Sequence, residues 1–194
     1  ALAAFRLGRR SGAAKRLERA LSEFHEEGNS VWTGEALVGL ATLWWRNRQP
    51  LAAAALLQAA ALHFANAGDR EREGCALCLV VRARLAAGDR AGATRARARM
   101  RRRGRAARSP RHRQLAWAAE AAWARAMDDP AGARRALTRA AAESERLASR
   151  ILDEQWRAWL KRRYWPTIAV KQDPEQFARR LTDHRSDQST LNTA

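Results

Sequence analysis

Strand signals are missing from this 194-residue sequence: it has no alternating β-branched runs and no Asn-Gly or Asp-Gly hairpin turns, which excludes a sheet-based fold. Lysine is scarce as well. Of 37 basic residues only Lys15, Lys161 and Lys171 are lysine, so the net charge of +17 is carried by arginine. Alongside abundant alanine, that bias reads in part as GC-rich coding and not wholly as selection for a polyanionic partner. Two cysteines are too few for a disulfide framework and agree with a reducing compartment. No apolar run reaches the roughly 18 residues a membrane helix needs, and no secretory leader is read, so a cytoplasmic location and no membrane partner are expected. The chain opens on Ala1, inside what reads as a helix pair, so it is expected to be part of a longer protein.

Catalytic signatures are absent too. There is no phosphate-cradling glycine loop, no Gly-x-Ser-x-Gly, no His-Glu-x-x-His and no convincing carboxylate pair, so neither an enzyme nor a cofactor or small-molecule ligand is expected. Cys75 and Cys78 make a Cys-x-x-Cys. Tetrahedral zinc would need two more ligands, and His25, His63, His112 and His184 are scattered, so no metal site is expected. The pair reads as small, partly buried residues of a helix.

What is present is a repeat. A shift of 40 residues lays Phe24, Gly28 and Asn29 on Phe64, Gly68 and Asp69, and Gly34, Ala36 and Leu37 on Gly74, Ala76 and Leu77. A further 40-residue match lays Asp89, Ala91, Gly92 and Ala93 on Asp129, Ala131, Gly132 and Ala133. Within the units the apolar spacing is helical. Ala13, Leu17, Ala20, Leu21 and Phe24 step as Ala53, Leu57, Ala60, Ala61 and Phe64 do, marking second helices. First helices carry Leu37, Leu40, Ala41 and Trp44, then Leu77, Val80 and Val81. Pro50 and Pro130 suit first helical turns, with Asp129 and Ser109 as caps.

The expected architecture is an all-α solenoid of antiparallel helix pairs over 1–165. Its units fall at about 1–28, 29–68, 69–108 and 109–149, with a capping helix at 150–165. A short C-terminal helix over 166–183 and a disordered tail over 184–194 complete the chain.

The small positions carry a family resemblance. Ala41 and Ala121 in first helices, Ala53, Ala93 and Ala133 opening second helices, and Ala60 and Ala140 later in them stand where the tetratricopeptide (TPR) repeat places small residues at helix crossings. The first-helix aromatic survives as Trp44 but becomes Arg84 and Ala124, and the closing proline is missing. The units resemble the degenerate, longer repeats of bacterial regulators and those preceding CHAT domains, which are caspase-like proteases. The resemblance implies a right-handed superhelix whose first helices line a concave groove for a peptide or a partner domain.

Candidate contact residues lie where charge replaces core. Arg97 and Arg101 fall on the inward positions of Leu57 and Ala61, and Arg84 and Glu120 are inward departures nearby. The four are expected in one neighbourhood, where either Arg97 or Arg101 pairs with Glu120, because an unpaired buried charge is costly, or the helix is rotated and presents its arginines to a partner. With Arg105 and Trp45, which lies off its helix's stripe, they form the expected partner surface. Trp32 joins them as a groove candidate, whereas Trp44, Trp117, Trp156 and Trp159 read as core. A protein or peptide partner, acidic in character, is the first expectation. Nucleic acid bound by the arginine-rich segment 90–113, which has no aromatics to stack bases, is the alternative. The repeat region of a larger enzyme such as a CHAT protease is another.

Overall fold

Among the described residues, five connections between helices turn on a residue in the left-handed region. Gly28, Arg48, Gly68, Gly88 and Asp128 have φ of 67°, 59°, 71°, 77° and 56°, the first four 20 residues apart and the last 40 beyond Gly88. The residue after each turn then opens a helix. Asn29, Asp69, Asp89, Ser109 and Asp129 accept from the backbone N–H three residues on, at 2.7–3.3 Å. Pro50, Pro110 and Pro130 sit in first turns, where no N–H is needed. Arginine and aspartate are strained where glycine is not, so Arg48→Gly and Asp128→Gly should each stabilise the fold by about 1 kcal/mol. A higher urea midpoint at unchanged slope would show it.

The computed structural model describes residues 12–104 and 109–150. They form seven helices and no strand: α1 (Ala13–Glu26), α2 (Ser30–Arg46), α3 (Pro50–Asn66), α4 (Arg70–Ala86), α5 (Arg90–Gly104), α6 (Pro110–Ala126) and α7 (Pro130–Ser149). Each packs on the next, and α4 also packs directly on α6. Consecutive contact is thinnest between α5 and α6. The expected capping helix, C-terminal helix and tail, together with Arg105, Trp156 and Trp159, lie outside the described residues.

The core is centred on α3. Ala53, Leu57, Ala60, Ala61 and Phe64 are all at most 2% exposed, and Leu37, Leu77 and Val81 close over them from α2 and α4. The seven alanines of the small positions are no more than 3% exposed, so helix crossings there are as close as a methyl group allows.

Two tryptophans depart from expectation. Trp44 is 39% exposed, because the α2 stripe turns through Leu40 and Leu43 onto Ala13 and Leu17 of α1 and leaves Trp44 outside. Trp117 is half-buried, with the Arg139 guanidinium 4.6 Å from its ring centroid.

Two glycines set the helix stacking. A Cβ on Gly34 would stand 2.6 Å from the Phe64 ring, so the end of α3 lies directly over α2. One repeat later the ring position is Gly104, and the space over Gly74 is taken by the His112 ring of α6 instead. That substitution brings α6 onto α4.

Candidate functional site

The faces of α2, α4 and α6 that the α3 core leaves uncovered enclose a groove of about 400 Å³. Its floor is apolar, with Val38, Leu79 and Leu115 flanking the Cys75 thiol. One end is ionic: Arg72 donates to Glu35 at 2.8 Å and to its own helix cap Asp69 at 2.5 Å. Burial alone would raise the Asp69 carboxyl, but the Arg72 N–H and guanidinium outweigh it and hold the group below its usual range. Farther along the same two helices Arg82 lies 5.8 Å from the Trp45 ring centroid. Desolvation pushes Arg82 down, and among the described residues no carboxylate is within ion-pairing reach of it. Trp45 is itself half-buried against the α3 core and presents one side of its ring here, while Trp32 at the start of α2 is 54% exposed.

Burial disfavours the thiolate form of both cysteines. Burial pushes Cys75 up to about 11 and Cys78 further still, and no group of three or more possible metal ligands occurs among the described residues. Cys75 should therefore alkylate at pH 8 well over ten-fold more slowly than a free thiol, from the smaller thiolate fraction alone. Cys78 should react only after denaturation; mass spectrometry of the modified peptides would separate the two.

A second group of charged residues straddles α5. Arg97 donates through Nε and Nη2 to Glu120 Oε2 at 3.0 and 2.7 Å, and its guanidinium lies 3.6 Å from the Trp123 ring centroid. Arg101 reaches the other oxygen of Glu120 at 3.1 Å. On the opposite side of α5, Arg99 and Arg103 reach Glu73 of α4 at 3.3 and 3.2 Å. Glu143 of α7 repeats the theme with Arg113 and Arg146 at 3.1 and 2.7 Å. Each of these three buried or half-buried carboxylates thus holds two arginines.

Comparison with protein-family models, curated proteins and solved structures finds no match to this chain.

The expected neighbourhood is assembled in part. Arg97, Arg101 and Glu120 come together, whereas Arg84 turns away and binds Asp89 at 2.5 Å and Gln58 at 3.0 Å. The reason is local: Asp89 caps α5 one turn after Arg84, so a partner stands nearer than Glu120 does. Glu73 and Glu143 went unnoticed in the sequence, yet the repeat contains their signal. Positions 73 and 103 hold Glu and Arg; one repeat on, 113 and 143 hold Arg and Glu, the same pair with its signs exchanged. Likewise Leu17 with Leu40, and Leu57 with Val80, are the apolar forerunners of Arg97 with Glu120.

Proposed function

We propose that the chain is a protein-interaction scaffold of tetratricopeptide type that binds a peptide or partner domain in the groove of α2, α4 and α6. The observation that carries this reading is the groove itself: an apolar floor of side-chain depth with an ionic end, lined by the first helices of successive pairs, with Trp45 and Arg82 farther along two of them. A bound segment would set apolar side chains against Val38, Leu79 and Leu115 and fix its register at Arg72 and Arg82. The reading places the protein in the cytoplasm of a bacterium, as a regulatory module that recognises and does not catalyse.

Panning a displayed peptide library against the chain tests it. Enriched peptides should bind with footprints on Val38, Leu79 and Leu115 in backbone chemical shifts, and Leu79→Ala should weaken them about ten-fold. An enriched set whose shifts map away from these helices, or no enrichment, would remove the groove from the account. The nucleic-acid reading has less support, because Arg97, Arg99, Arg101, Arg103 and Arg113 already lie on carboxylates of the chain. Steeply salt-dependent binding of duplex DNA or RNA would restore it.

A further inference from the structure

On the side of α4 away from the groove, the repeat brings the same chemistry to two places. α5 and α7 open with one pattern, Asp-x-Ala-Gly-Ala-x-Arg-Ala-x-x-Arg, at 89–99 and 129–139. Each pattern lines a cleft. The first, about 220 Å³, has Leu77, Val80 and Ala96 for a floor and Arg84, Arg95 and Arg99 around its mouth. The second, about 190 Å³, sets Arg135 and Arg139 with Ala136 at the positions of Arg95, Arg99 and Ala96, and Trp117 at that of Leu77; Glu120, already held by Arg97 and Arg101, and the helix cap Asp129 also line it. Gly92 and Gly132 occupy corresponding walls; a Cβ on either would overlap the capping carboxylate of Asp89 or Asp129.

One repeat earlier the same positions read Ala52, Ala55, Leu56 and Ala59, and Leu56 packs against the core. The cavity and its cations therefore arise together, from Leu to Ala at one position and from Ala to Arg at two. Among the described residues no carboxylate makes a salt bridge to Arg95, Arg135 or Arg139, although the charge of Arg95 reaches Asp89 from farther off. The Arg139 guanidinium lies over the Trp117 ring, and both residues line the cleft.

We propose that the two clefts form one bipartite site for an acidic polypeptide segment, each cleft taking a carboxylate side chain together with an apolar neighbour. Clefts of side-chain size, with apolar walls at Leu77, Val80 and Ala96 in the first and at Trp117, Trp123 and Ala136 in the second, suit a peptide better than a phosphodiester chain, which would seek an open row of cations. The neighbouring arginines of α5 already select carboxylates, from α4 and from α6. Two equivalent clefts one repeat apart make the affinity depend on both being filled by one ligand.

Fluorescence anisotropy of the whole chain with a labelled peptide that alternates glutamate pairs with leucine tests the site at low salt. Arg95 and Arg135 lie on the surface, so their replacement should leave the helical circular dichroism unchanged. Arg95→Glu or Arg135→Glu alone should weaken binding roughly ten-fold, and the two together roughly 100-fold. Glu35→Ala, on the α2 wall of the other groove, should leave it unchanged, so the two sites can fail separately. No binding by the peptide, equal binding by the double variant, or displacement of the peptide by duplex DNA at lower concentration than by free peptide would each overturn the proposal.

Discussion

Replacing Arg99 and Arg103 together by alanine is expected to destabilise the protein by about 3 kcal/mol, because it leaves a carboxylate buried without its partners. The Glu73 side chain is 2% exposed, and the two arginines are the cations that reach it from α5. Either substitution alone should cost much less, since one guanidinium remains. Adding Glu73→Gln to the double variant should recover most of the loss, because a neutral amide there no longer needs a cation. Urea unfolding across this set decides the matter. If the double variant unfolds at the parental midpoint, the arginines are surface charges and nothing more.

The second large effect is expected at Gly74. A methyl there overlaps the His112 ring, so Gly74→Ala should cost about 2 kcal/mol by forcing α6 away from α4. His112→Ala should also destabilise, by emptying a site that is 1% exposed. The pair should nevertheless be far from additive, since the alanine methyl at 74 enters the space the ring vacates. His112 adds a pH signature. Burial, with Arg113 beside it, holds the imidazole below its usual value and outweighs the pull of Glu71. Neither ring nitrogen has a hydrogen-bond partner. The unfolded chain thus takes up the proton first, so stability should fall as pH drops below about 6.5, and His112→Leu should flatten that slope.

Much of the fold can be read from residues, because helix starts and small crossings are set locally. Ser109 and Asp129 cap where the sequence places them, and Ala41, Ala53 and Ala60 are buried where the spacing puts them. Tryptophan was harder to place. Trp44 sits one position beyond Leu43 on α2, and which of the two faces inward depends on the direction from which α1 approaches, a tertiary choice. Pairing of Arg97 with Glu120 follows from the cost of an unmatched charge, but the diversion of Arg84 to Asp89 follows from the geometry of a cap. The double occupancy of Glu73, Glu120 and Glu143 joins residues 19 to 30 positions apart on separate helices, Arg146 on Glu143's own helix excepted, where periodicity alone does not reach.

The even spacing of left-handed turns has a consequence for how the chain comes to be folded. Among the described residues, each helix from α1 to α6 packs on the next, which begins 17 to 20 residues later, and α4 packs also on α6, 40 residues on, so the main contacts do not wait on a distant stretch of polypeptide. Chains with such short-range contacts close little loop entropy at each step and order in microseconds to milliseconds. α2 and α3 can dock as soon as both have left the ribosome, and each later helix adds to a surface already made. The α5 and α6 junction, thin in contact and bound by charge, is the step at which that advance should pause.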